Sequence, residues 1–456
     1  MLFNSVAFAL FLPLVFCLYW FVARSGPGQN AVLLVASYFF YGYWDWRFVP
    51  LLAFSTFLDY YTGWRIYKGK AKKTWLGISL VVNLGLLGFF KYYNFLTGSA
   101  WAIILPLGIS FYTFHGISYV LDIYNGRIKP AEKFGDYALF VGFFPLLIAG
   151  PIERATHLLP QVEGIRRFDP DKAVDGLRQI LWGLFKKMVI ADSCAEYVNM
   201  AFAHPGAYSG STLVVAAVLF SIQIYGDFSG YSDIALGTAR LFGFDLLKNF
   251  AFPYFSRDIA EFWRRWHISL TSWFRDYLYI PMGGNKGPLW KRIRNVVVVF
   301  LVSGFWHGAD LTFLVWGGLN ALYFLPLLVF NKNRLNLDVV AKDRRFPSFR
   351  EVLGMGTTFG LTTFAWIFFR AESVPAAWVY IRRLSVWTKP DFFPVQVLLL
   401  VAGFMVVEWT GRNQNYALAA WGNRWPRVLR WSFYYVLVGL IFIFYVSGSS
   451  FIYFQF

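Results

Sequence analysis

Lys291-Arg-Ile-Arg-Asn-Val-Val-Val-Val-Phe-Leu-Val-Ser-Gly-Phe-Trp-His-Gly308 decides the fold. Three cations in four residues give way to an apolar run that opens at Val296 and ends in a histidine between glycines. A helix rises 1.5 Å per residue, so His307, 13 residues beyond Arg294, lies about 20 Å from the charged end. That depth is inside a hydrocarbon layer about 30 Å thick. The same alternation of basic loop and apolar block runs from residue 5 to residue 447. Over 456 residues, 57% are hydrophobic, 21% aromatic and 15% charged, whereas a water-facing domain carries about 25% charged residues. This pattern excludes a disordered chain, a collagen, a disulfide scaffold and a soluble enzyme with one anchor. It predicts an all-α polytopic membrane protein with about 10–13 membrane-touching helices, some too short to cross. The block 137–150, which ends in Ala149-Gly-Pro151, is expected to be re-entrant.

The net charge of +17 would suggest nucleic acid in a soluble protein. Here the cations sit in short loops, which is the positive-inside pattern, so no nucleic-acid partner is expected. Anionic lipid headgroups and an anionic cytoplasmic substrate fit the charge instead. Arg65, Lys68, Lys70, Lys72 and Lys73 place one loop inside, as do Arg127, Lys129 and Lys133 for the next. Counting spans puts both termini outside. The first apolar block lacks a basic leader and reads as a retained span. Cys17 and Cys194 lie in apolar segments, so neither a disulfide framework nor a cysteine zinc site is expected.

Residues 245–295 differ in kind. They hold nine cations, among them Arg257, Arg264, Arg265 and Arg275, interleaved with Trp263, Trp266, Trp273 and other aromatics. One reading is an amphipathic segment resting on anionic lipid. The sharper one is a lid over a cytoplasmic pocket that binds a polyanionic donor, since phosphates favour arginine.

Among five histidines, His307 is the deepest. An ionisable group at that depth marks function by default, against the alternative of a hydrogen-bonded core residue. A neutral imidazole in a dry pocket is a competent general base, and Trp306 can wall it. His267 lies 40 residues earlier on the basic stretch, where interface packing and function are equally good readings. His115 reads as a core hydrogen bonder, and His157 and His204 as loop residues. No two histidines have zinc-site spacing beside a carboxylate, so no metal is expected. Tyr225-Gly-Asp-Phe-Ser-Gly-Tyr-Ser-Asp233 sets Asp227, Ser229, Tyr231 and Asp233 between apolar blocks. Gly226 and Gly230 suggest a helix broken where backbone lines a cavity. The alternative is a polar lock between helices. No nucleophile elbow and no P-loop occur.

Eight motifs carry a resemblance. They are Met1-Leu-Phe-Asn-Ser, Pro106-Leu-Gly-Ile-Ser-Phe-Tyr-Thr-Phe, Gly150-Pro-Ile-Glu-Arg, Asp227-Phe-Ser-Gly-Tyr-Ser-Asp, Phe262-Trp-Arg-Arg-Trp-His-Ile-Ser, Asp276-Tyr-Leu-Tyr-Ile-Pro-Met-Gly-Gly-Asn, Gly304-Phe-Trp-His-Gly and Trp366-Ile-Phe-Phe-Arg. Together, in order and over nearly the whole chain, they resemble the membrane-bound O-acyltransferase (MBOAT) family, in its bacterial alginate O-acetyltransferase (AlgI) type. The resemblance implies one integral-membrane domain over 1–456, a ring of helices with a cytoplasmic and an extracytoplasmic funnel, in the bacterial inner membrane. It implies that an acetyl group passes from a cytoplasmic thioester, acetyl-CoA, to a polysaccharide outside, with no bound cofactor. A periplasmic SGNH-hydrolase-like partner then finishes the transfer. His307 matches the family's near-invariant histidine and His267 its second position. The D-alanyl exporters of the same family take their group from a carrier protein. A lipid-linked sugar flippase and a non-catalytic scaffold are the competing classes.

The tail 448–456 ends Phe451-Ile-Tyr-Phe-Gln-Phe456. It reads as an interfacial aromatic anchor. It also resembles a terminal motif of the AlgI type, whose tyrosine, here Tyr453, is proposed to carry the acyl group.

Overall fold

The structure is a computed structural model that describes the chain apart from residues 100, 102, 149, 447–450 and 453–456. All regular structure among the described residues is helical. Lys72–Thr97, Gly210–Leu241, Leu311–Val329 and Phe349–Arg370 are long and apolar enough to cross a membrane, and Val6–Val22 and Val395–Gly411 are apolar but shorter. Large apolar side chains stand outward in numbers no water-facing surface tolerates, among them Leu10, Val81, Leu96, Leu399, Phe442 and Ile443. The chain is an all-α polytopic membrane protein.

The block 137–150 is interrupted. Phe134–Gly142 ends at Phe143, whose ψ of 114° leaves the helical region, and Phe144–Leu147 adds one turn. The side chains from Tyr137 to Ile148 are buried. Irregular backbone in an apolar block is tolerated where protein surrounds it.

Two compact units divide the chain. The first holds Met1–Ile180 and Tyr231–Leu247, the second Leu181–Gly230 and Lys248–Phe456. In the first, Val49–Tyr67 packs on Lys72–Thr97 and Ile109–Tyr124. Asp59, 1% exposed, accepts from Ser79 Oγ and Asn83 Nδ2, each at 2.7 Å. In the second, Leu289–His307 packs along Leu311–Val329. Gly304 and Gly317 make that approach: a Cβ on either would collide with the backbone oxygen of Phe313 or of Phe300.

The expected break at Gly226 and Gly230 does not occur. Gly210–Leu241 is one helix of 32 residues. Its glycines serve packing instead. A Cβ on Gly230 would stand 2.8 Å from the Gly183 oxygen, and one on Gly226 3.1 Å from that of Lys186. His157 is likewise helical, within Ala155–Glu163, with Nδ1 2.8 Å from Glu153 Oε2 one turn back.

Candidate active site

Two short helices of the second unit carry the basic stretch. Asp258 caps Ile259–Arg265 by accepting from Glu261 N at 2.7 Å. Trp266 is extended, His267 is left-handed (φ 42°, ψ 54°), and Ile268–Phe274 begins there. A left-handed non-glycine residue costs about 1–2 kcal/mol and persists where surroundings over-determine it. Asn249 does so: its carbonyl accepts from Ile268 N at 2.9 Å, and its Oδ1 from Ser269 Oγ at 2.6 Å. The result is a fully enclosed imidazole, 1% exposed. Burial lowers its pKa to about 3, so it is neutral at physiological pH.

His307 is the last residue of Leu289–His307. It is 6% exposed and stands edge-on to Trp316 and Phe369, each centroid 5.2 Å away. Trp306 touches both histidines, at 4.8 Å from His307 and 6.1 Å from His267. Both imidazoles line one small cavity of about 60 Å³, with Trp266, Phe274 and Ser303. Trp263, Thr271, Val299 and Phe300 line this cavity and also a larger one of about 370 Å³. The larger one is rimmed by Arg264, Arg275 and Arg334. Two adjoining cavities, one lined by three arginines and the other by both histidines, are thus built within one unit.

The four predicted donor-binding arginines divide into two pairs. Arg264 and Arg275 reach the larger cavity, and both are exposed. Arg257 and Arg265 do not reach it. They flank Glu261, which is 1% exposed, at 3.1 and 2.8 Å. Arg257 also pairs with Asp338 at 2.9 Å. A buried carboxylate without partners would be costly, so these two are bound to structure. Arg264 and Arg265 together hold residues 333–338 against the cavity. Arg264 donates to Asn333 O and Asn336 O at 2.9 and 2.7 Å, and Arg265 to Asp338 O at 2.9 Å. Asn333, Arg334 and Leu337 thereby form part of the cavity wall.

Of Asp227, Ser229, Tyr231 and Asp233, none lines either of these two cavities. Asp227 and Ser229 belong to the second unit, with Lys187 and Lys186 respectively. Tyr231 and Asp233 belong to the first, where Asp233 accepts from Gln179 Nε2 at 2.7 Å. Tyr453 lies outside the described residues. Among the described residues no three of His, Cys, Asp and Glu gather as metal ligands would.

Sequence reasoning missed two features. Lys186 and Lys187 are buried in the second unit, and Glu408, 2% exposed, accepts from Trp182 Nε1 at 3.0 Å and Tyr225 OH at 2.5 Å. The available signal was charge inside the apolar blocks 176–200 and 393–409.

Residues 131–334, which contain both histidines and all three rim arginines, match the model of the membrane-bound O-acyltransferase family. The chain is 38% identical over 444 residues to the probable alginate O-acetylase AlgI of Azotobacter vinelandii, covering 91% of this chain and 86% of that protein. It is 34% identical to the peptidoglycan O-acetyltransferase of Helicobacter pylori, over 83% of this chain and 78% of that one. To the teichoic acid D-alanyltransferase of Bacillus subtilis it is 28% identical over 50% of this chain and 60% of that one. The chain belongs to the membrane-bound O-acyltransferase family. It is an O-acyltransferase of the kind that the alginate and peptidoglycan O-acetyltransferases represent.

Proposed function

We propose that the protein takes an acetyl group from a cytoplasmic thioester donor, acetyl-CoA, and moves it across the bacterial inner membrane for O-acetylation of a cell-surface or secreted polysaccharide such as alginate. The observation that carries this reading is the pair of cavities that share four wall residues, one lined by arginines and the other by two histidines. Arg264, Arg275 and Arg334 hold the phosphates of the donor head by charge-assisted hydrogen bonds. The slim pantetheine arm fills the larger cavity. The thioester reaches the small chamber, where tryptophans exclude the water that would hydrolyse it.

His307 is the general base or the group that positions the thioester carbonyl, and His267, neutral and fixed by Asn249, walls the chamber opposite. The acceptor is the phenol of Tyr453. His307 takes the phenolic proton as the oxygen attacks the carbonyl; the C–S bond breaks and the thiolate leaves with a proton. The aryl ester remains activated, because a phenol has a pKa near 10, so one hard step becomes two easier ones. A periplasmic SGNH-hydrolase-like partner completes transfer to a sugar hydroxyl. Both termini lie outside in this arrangement, and no metal or bound cofactor takes part. The preference for acetyl over D-alanyl rests on the higher identity to O-acetyltransferases over most of the chain.

The test uses purified protein with acetyl-CoA labelled in the acetyl group. Label is expected on the protein, lost in Tyr453→Phe and in His307→Ala. Labelling of neither protein nor added polysaccharide, by acetyl-CoA or by an acylated carrier protein, rejects the reading.

A further inference from the structure

We propose that Asp227, held by Lys187, is a positioning residue: a carboxylate seat that grips the C-terminal tail by its backbone at Ile452 and so fixes the point from which the tail's tyrosine reaches the site. This rests on the acyl-relay reading of Tyr453.

The seat begins with two adjacent lysines inside an apolar block. Phe185–Ala191 is a π-helical stretch, an insertion often found at functional sites. It presses on the long helix Gly210–Leu241 where that helix lacks side chains. A Cβ on Gly230 would stand 3.1 Å from Lys187 N. The approach buries both lysines, at 3% and 1% exposure. Lys187 Nζ lies 2.7 Å from Asp227 Oδ1 and 2.8 Å from Asp192 Oδ1. A buried ammonium persists only when paired, and Asp192 already supplies one opposite charge.

The second oxygen of Asp227 faces a different task. Its Oδ2 accepts the main-chain N–H of Ile452 at 2.6 Å, across 225 residues of sequence. Phe451 and Ile452 are 0% and 2% exposed. The Phe451 ring lies 6.0 Å from Phe228, and Phe228 stands edge-on to His267 at 4.6 Å. Tail, phenylalanine and histidine therefore form one contact series, and Tyr453 is the next residue in the chain. Gripping an amide rather than a side chain holds the tail at a fixed register whatever its side chains are doing. Ordering an acceptor in this way lowers the entropic part of a barrier. A hydrogen bond to a charged group is stronger than one between neutral groups, enough to hold a short segment and weak enough to release it.

The experiment reads tail seating directly and does not depend on acetyl transfer. Ile452→Cys is introduced into the full chain with Cys17→Ser, because Cys17 is exposed; Cys194, which is buried, stays as an internal reporter of folding. Alkylation of residue 452 is followed in detergent, where either face of the protein is reachable. Slow alkylation is expected in this parent and at least tenfold faster alkylation in Asp227→Ala, with Cys194 still protected. Asp227→Asn keeps an acceptor oxygen and is expected to restore protection. Equal rates at residue 452 in parent and Asp227→Ala overturn the seat. If Cys194 also becomes reactive in Asp227→Ala, Phe451→Ala decides, since it leaves the ion pair intact: faster alkylation supports the seat and an unchanged rate overturns it. Tyr453→Phe leaves the alkylation rate unchanged. Full acetylation in that variant would therefore reject the relay without touching the seat, and an Asp227-independent rate would reject the seat without touching the relay.

Discussion

His115 and His307 are both buried histidines in apolar helices, one in each compact unit, and their surroundings differ in one decisive respect. His115 is 0% exposed and its Nε2 accepts from Glu153 N at 3.1 Å. Phe140 packs against its ring. The imidazole is spent on an internal hydrogen bond. His307 is almost as deeply buried but borders open volume, which it shares with His267. Burial depth makes a histidine expensive in either place. Space beside it for a reacting atom is what the proposed catalytic role of His307 requires.

That contrast is sharpest under substitution. His307→Ala is expected to fold and insert and to lose acetylation by about 10²–10⁴-fold, the usual worth of positioned acid–base help. His115→Ala is expected to keep its turnover per folded molecule. It should lower stability by about 1–3 kcal/mol, because a buried N–H loses its acceptor. Wild-type acetylation in a well-folded His307→Ala protein, measured on the polymer, would break the comparison. Tyr453→Phe keeps the aromatic ring and is expected to abolish polymer acetylation; full activity there would leave the tail as an anchor alone.

Smaller effects test the surroundings of the two cavities. Arg264→Glu with Arg275→Glu is expected to raise the donor KM by about 10–100-fold with little change in kcat, in line with the loss of charge-assisted bonds. A donor KM that stays constant while membrane insertion falls would assign these arginines to lipid. Gly304→Val is expected to destabilise the second unit by about 1–3 kcal/mol through overpacking, read as a lower melting temperature in detergent. An unchanged melting temperature would mean that Leu289–His307 and Leu311–Val329 can separate without cost.

The smallest effect concerns pH. Glu153 holds the pKa of His157 above its ordinary 6.5. The folded form therefore binds the proton more tightly than the unfolded form. The stabilisation is fully present below about pH 6.5 and disappears as pH rises through the folded pKa. Wild-type melting temperature should fall over that window and His157→Gln should be flat. Parallel curves would remove the ion pair from the account.

Much of the site was legible because lipid solvation punishes charge so heavily that its exceptions stand out. His307 at the end of an apolar run and the arginine-tryptophan mixture of 257–275 were visible for that reason. Arg257 and Arg265 could not be told from Arg264 and Arg275, since all four share composition and context. Glu261 separates them, and its position one helical turn from Arg257 and from Arg265 is a matter of side-chain direction. Gly226 and Gly230 misled for a related reason. A glycine in an apolar block marks either a break or a close approach, and the partner backbone that decides between them, here Gly183 and Lys186, lies some 40 residues away in sequence.

The sequence by itself determined that this chain lives in a membrane and that it is all-helical. Those follow from hydropathy, charge and the fixed rise of a helix, which are properties of a segment alone. Only the tertiary structure decided that His267 joins His307 at one chamber, that two of four arginines are committed to Glu261, and that Asp227 accepts the main-chain N–H of Ile452. Each of these depends on which side chains from distant segments meet. A one-dimensional pattern carries the cost of burying a group, but its partner is set by the packing that brings separate helices together.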